Sequence, residues 1–272
     1  METRNQLDKV SEGQVLLPLV ENRFQFACHP DLPCFTECCH NLRLVLTPYD
    51  IIRLKQRLQL SSSEFLDKYT LTDWDEELAL PIVLLNMNDS KYQQCPFVSS
   101  TGCLVYSDRP MACRIFPLAQ ASKMGFYKIG DEVTRCYFLV KEPYCQGIKE
   151  SRVWSVSEWL KDQEVGEYSE QNKDWMEIII RHWPHLTQTN KEKKFKMFFL
   201  ASYNLDQFRE FIFHSRFLKL FRVDDMSITK IRGSDIELMK FAVQWLKFSL
   251  FGEPVLKLKD EVLEQKTKNG SA

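Results

Sequence analysis

Glycine is scarce in this sequence. Only nine occur in 272 residues, and none is arranged as a phosphate-cradling loop, a dinucleotide fingerprint or a nucleophile elbow. No HExxH pair is present, so nucleotide-binding, serine-hydrolase and zinc-protease chemistries have no anchor in the chain. A surplus of one charge is also lacking. With 36 basic and 37 acidic residues the formal charge is -1, which offers no bulk attraction to nucleic acid or an anionic membrane. Long apolar runs are missing too: those around residues 79–85 and 195–201 fall far short of the roughly 20 residues a spanning helix needs. The first twenty residues mix Glu2, Arg4, Asp8, Lys9 and Glu12 with a short apolar stretch from Val15 to Val20, which is no secretory signal. The expectation is a soluble, cytoplasmic protein without nucleic-acid or membrane partners.

Cysteine is absent after Cys145, yet nine lie between Cys28 and that point. A reducing cytosol removes the usual reason for such enrichment, a disulfide framework, and leaves metal ligation as the leading account. The thiols come as Cys28, Cys34, Cys38 and Cys39, then Cys95, Cys103 and Cys113, then Cys136 and Cys145. Thiolate sulfur is a soft donor suited to zinc and to iron–sulfur clusters, both of which usually take four protein ligands from separate segments. The number of thiols suffices for two such sites. Neighbouring side chains in an extended segment point to opposite faces, and a vicinal disulfide is strained, so Cys38 and Cys39 could serve different metals. Arg109 and Arg114 would offset the charge of a thiolate cage. Cys95-Pro96 reads as a loop and Ser107–Arg114 as a capped helical turn, places whose free amides could donate to sulfur.

At 44% hydrophobic the chain has ample material for a core. Thr47-Pro48-Tyr49-Asp50 reads as a helix start, with Thr47 as cap and Pro48 in the first position, and predicts a helix to about Leu58. Ser61 with Glu64 is a second capping box, before an apolar face of Phe65, Leu66 and Tyr69. Short β-prone runs follow at Ile82–Leu85, Cys103–Tyr106 and Phe126–Ile129. Later helix starts are read at Ser155 with Glu158, at Asn204, and at Ser234 with Glu237, the last stopping at Gly252. The fold class expected is mainly α with a small β element: a cysteine-rich metal-binding module followed by an all-α region. The predicted organisation is an extension over 1–24, the cysteine module over 25–150, a helical domain over 151–256 and a flexible tail over 257–272.

His29 and His40 flank cysteines, but sulfur donors already suffice, so neither is taken as a ligand. His182, His185 and His214 have no cysteine neighbours. Residues 191–232 carry ten basic and five acidic residues among many phenylalanines. Phe208, Phe211 or Ile212, and the stretch from Ser215 to Leu218 repeat at helical spacing, the pattern of a packed amphipathic helix, which favours core plus solvated face over nucleic-acid binding.

The ordered series Cys28, Cys34, Cys38-Cys39, Leu46–Asp50, Cys95-Pro96-Phe97, Gly102–Tyr106, Arg109-Pro110, Cys113-Arg114 and Phe116-Pro117 resembles the YkgJ-type cysteine-cluster family, described as zinc- or iron-chelating. The resemblance covers about residues 28–147 and implies a metal or iron–sulfur domain; one relative, the flagellin lysine methylase, couples a similar motif to methyl transfer. Cys145 with Gly147 matches the family's closing motif, whereas Cys136 falls outside it. The expected ligand set is therefore Cys28, Cys34, Cys38, Cys39, Cys95, Cys103, Cys113 and Cys145. The first functional expectation is an iron–sulfur protein with a redox or metal-handling role. A structural zinc module mediating protein contacts through the helical region, and a methylase-like enzyme, are the alternatives.

Overall fold

The computed structural model describes residues 15–75, 78, 80–88, 92–120, 127–129, 132–134, 137–181 and 188–262. Cys136, Phe126, His182 and His185 lie outside the described residues. The chain is mainly helical with several small antiparallel sheets. It divides into two compact units, one of residues 1–44 with 86–167, the other of 45–85 with 168–272. The segment 45–85, grouped by sequence with the cysteines, thus goes with the C-terminal helices.

In the first unit Tyr137–Lys141 is the central strand between Val15–Pro18 and Leu118–Gln120. Arg23–Gln25 pairs with Val153–Ser155, so residues 15–25 form part of this unit rather than a separate extension. Phe24 faces inward between exposed Arg23 and Gln25, the period-two alternation of a half-buried strand. Phe24, Phe26, Trp154 and Trp159 make a T-shaped aromatic core in which the two tryptophan centroids lie 5.1 Å apart. The Trp154 indole donates to the Phe26 carbonyl at 2.9 Å and that of Trp159 to Ile115 at 3.1 Å. These bonds tie the backbone just before Cys28 and just after Cys113 to the core. The Ser155–Glu158 capping box starts the helix Val156–Asp162, as its sequence predicts.

In the second unit Leu80–Leu85 is the central strand between Val45–Leu46 and Thr70–Asp75. Both predicted capping boxes form, and the helices Pro48–Leu58 and Ser62–Tyr69 follow them. The Asn204 and Ser234 caps also form, and the helix Asp235–Phe251 ends at left-handed Gly252. Buried Lys55 sits 2.9 Å from Asp206 and 3.0 Å from Asp235, and Arg209 pairs with both carboxylates. The Phe208, Phe211, Phe217, Phe221 and Trp245 rings pack together, in line with the core assignment of this aromatic stretch.

The start of the expected tail is not frayed. Lys257–Leu258 pairs with Phe221–Arg222, and the Lys259 amide donates to Leu220 at 2.9 Å. Phe221 and Leu256 are both buried. Among the described residues no helix is long and apolar enough to cross a membrane.

Candidate metal centre

The first cysteine segment is set by a backbone contact that only glycine permits. The Ala27 amide donates to the Gly147 carbonyl at 3.1 Å. A Cβ at Gly147 would lie 2.4 Å from the Ala27 oxygen and 2.9 Å from the Phe26 ring. This approach brings Cys28 alongside Cys145. Turns close from Leu32 to His29, Phe35 to Leu32 and Glu37 to Cys34. Thr36, at φ 69°, then enters the left-handed region that β-branched residues rarely adopt and leads into the single turn Glu37–Cys39.

The result is a cavity of about 20 Å³ lined by Cys28, Cys34, Cys38 and Cys145 together with Phe26, Leu32, Phe116, Tyr144 and Gly147. The Cys34 and Cys145 sulfurs have amide partners. The Gln146 amide donates to Cys34 Sγ at 3.1 Å. Burial pushes the Cys145 thiol up, while the Gly147 and Ile148 amides oppose this by favouring its thiolate. Burial, with Cys38, Cys34 and Cys145 nearby, pushes Cys28 up to about 11.

The remaining thiols gather beside a second segment. The Cys95 amide donates to the Cys39 carbonyl at 2.8 Å, and His40 bridges to Gln94, which sets Cys39 beside Cys95. A hairpin then pairs Val98 with Cys103. Gly102 is required at its turn: φ is +115°, and a Cβ would stand 3.2 Å from the Phe35 ring. Burial raises the Cys95 thiol against the opposing Phe97 and Val98 amides. Burial likewise raises Cys103 against the Val105 amide and Arg109. The Arg109 guanidinium feels both Cys103 and Cys113.

Cys38 and Cys39 are hydrogen-bonded to each other. The bond from Cys39 holds Cys38 below the usual thiol range, and the same bond, with burial, drives Cys39 well above it. The pair does not lie in an extended segment, as its sequence argument assumed, but in a 3-10 turn. Successive side chains are therefore about 120° apart, not opposed. Cys38 lines the first cavity and also lies near Cys95 and Cys103, while Cys39 lies near Cys95 and Cys113.

The two arginines have different roles. Arg114 is buried and donates to the Arg109 and Gln163 carbonyls, each at 3.0 Å, and to Ser107, with Glu164 at 3.2 Å. It clamps the loop before Cys113. Arg109 stacks 3.8 Å over the Tyr106 ring and donates to Tyr106 and Gln163, close enough to compensate charge on Cys103 and Cys113.

Two local expectations change. The strand foreseen at Cys103–Tyr106 is limited to Gly102–Cys103, because the Leu104 amide turns back to Phe97 and Tyr106–Asp108 is a 3-10 turn. The helical turn Met111–Ile115 has no side-chain cap, and the Cys113 and Arg114 amides both go to the Pro110 carbonyl. The amides near sulfur come from the loop after Cys95, as expected, and from the turns after Cys103 and Cys145.

His29 directs its ring nitrogens at Asp31, 3.5 Å, and Glu150, 3.8 Å. His40 contacts the Glu37 carbonyl at 3.3 Å. The sequence did not single out Tyr144, which lines the cavity and whose phenol is pushed up by burial and by Glu142. Its position beside Cys145 was the available signal.

None of the eight described cysteines is in a disulfide. Among the described residues, no three or more His, Cys, Asp or Glu side chains stand close enough to form a finished coordination cage. Holding an ion would require the sulfurs to close in from these positions. The donor chemistry nevertheless fits a zinc- or iron-type group: eight soft sulfurs, several with amide hydrogen bonds that stabilise thiolate over thiol.

A thiol-walled cavity with an adjoining thiol group is the mark of a cysteine-rich chelating domain. Residues 27–146 match the family model CxxCxxCC, "Putative zinc- or iron-chelating domain", the YkgJ-type family that the cysteine series resembles. No curated protein and no solved structure matches the chain.

Proposed function

We propose that the first unit holds a thiolate-ligated metal centre, with an iron–sulfur cluster as its first candidate and a redox or metal-handling role in the cytoplasm. The observation that carries this is the meeting of eight cysteines from three chain segments around one cavity and one adjoining hairpin. Soft donors in this number, with amide hydrogen bonds to sulfur, suit iron–sulfur ligation, in which such bonds and burial tune potential. The group would supply one-electron transfer. The chain's own part is to hold its thiolates, compensate their charge through Arg109 and the turn amides, and wall off water with Phe26, Leu32 and Phe116.

A single zinc ion is the second reading, favoured by the cavity itself. Its volume of about 20 Å³ admits roughly one water-sized occupant. In that case the metal is structural and the second unit mediates contacts with a protein partner. The test is visible absorbance and acid-labile sulfide on anaerobically purified protein. Coloured protein with iron and sulfide supports the cluster; colourless protein with zinc and no sulfide supports the second reading.

A further inference from the structure

Resting on the proposal of a thiolate-held metal, we infer that the eight thiols form two separate sites divided at the Cys38–Cys39 peptide. Cys28, Cys34, Cys38 and Cys145 hold one ion or cluster, and Cys39, Cys95, Cys103 and Cys113 hold another.

Backbone contacts and the shared cavity carry this division, with Cys38 at its boundary, near Cys95 and Cys103 as well. Cys28 and Cys145 are joined through the Ala27–Gly147 bond, and Cys34 takes an amide from Gln146, the residue after Cys145. With Cys38 they share a single cavity wall. Cys39, by contrast, is fixed to Cys95 through its own carbonyl, and the hairpin carries Cys103 back beside that pair. Arg109 adjoins Cys103 and Cys113. Each group therefore takes ligands from both sides of the long excursion 45–85, which leaves the first unit and returns. Four thiolates are a complete set for zinc or for one cluster.

The surroundings also differ. The first group is walled by Phe26, Leu32, Phe116 and Tyr144, with Glu142 nearby and no guanidinium among its lining residues. The second has Arg109. Four thiolates around a divalent ion carry net negative charge, which the second group can offset and the first must bear with amides alone.

The test is zinc uptake by the demetallated full chain, read by metal analysis and by mass-spectrometric mapping of thiols protected from iodoacetamide. Wild type is expected to take two equivalents. Cys34→Ser and Cys103→Ser should each take one, with the untouched group still protected. Wild type loaded with one equivalent supplies a measurement independent of how the variants fold. Its protected thiols should co-vary as the two named sets, and Cys136 should remain reactive. One equivalent in wild type, or protection that mixes the sets, overturns the division while leaving a thiolate metal centre standing. No zinc and no iron uptake overturns both.

Discussion

The Ala27 amide and the Gly147 carbonyl meet at 3.1 Å, and this bond fixes Cys28 against Cys145. A methyl group at position 147 would stand 2.4 Å from the Ala27 oxygen, a contact that backbone must relieve by moving. Gly147→Ala is therefore expected to cost about 1–3 kcal/mol, as overpacking against rigid surroundings does. It should also weaken zinc binding by separating the two sulfurs. Denaturant midpoints and a chelator competition measure both. Unchanged values in the variant would show that this approach is not needed.

Arg114 reaches the Arg109, Gln163 and Ser107 carbonyls from a buried position. Arg114→Leu removes the donor from all of them, and unsatisfied buried acceptors are costly, so a loss of about 2–5 kcal/mol is expected. Arg114→Lys should rescue little, because one ammonium cannot reproduce the planar fork. The ion pair to Glu164 adds little, since that carboxylate is 65% exposed. Chemical denaturation of both variants checks this, and full rescue by lysine would contradict it.

In the second unit Asp206 is held at about 2: burial would raise it, but the Ser62 amide and Lys55 outweigh burial. Asp235 is lowered as well, by Arg209 and Lys55 acting against burial. A carboxylate whose folded pKa lies below its unfolded value stabilises the fold above the unfolded value, about 3.9. That contribution is fully present at neutral pH and is lost as pH falls from about 4 toward about 2. Stability measured across this window should drop less steeply in Asp206→Asn than in wild type. Equal slopes would remove Asp206 from the account.

The Tyr203 hydroxyl is buried with no hydrogen-bond partner among the described residues. A buried hydroxyl without a partner carries a desolvation cost, so Tyr203→Phe should leave stability unchanged or raise it by about 1 kcal/mol. The ring contacts with Trp175, Phe198 and Phe199 are kept. Thermal unfolding decides, and a clear destabilisation would point to an unseen partner for the hydroxyl.

Local signals in the sequence were legible because they act over a few residues. Thr47 with Asp50, Ser61 with Glu64, Ser155 with Glu158, and Ser234 with Glu237 each begin a helix where their spacing says. The residue type of the candidate ligands was equally plain. What the sequence could not express is pairing at a distance. Val45–Leu46 joins Leu80–Leu85, and Lys55 lies between Asp206 and Asp235, so residues 45–85 go with the C-terminal helices. The same holds for Leu258 against Phe221 and for Cys39 against Cys95. Spacing alone could not say which thiols share a wall.

The most direct test of the central claim is metal analysis of the full chain purified without oxygen, with iodoacetamide mapping of its thiols. The account predicts bound iron or zinc, with Cys28, Cys34, Cys38, Cys39, Cys95, Cys103, Cys113 and Cys145 protected until a chelator strips the metal. A folded chain that carries neither metal, takes up neither, and has all these thiols open to alkylation would contradict it.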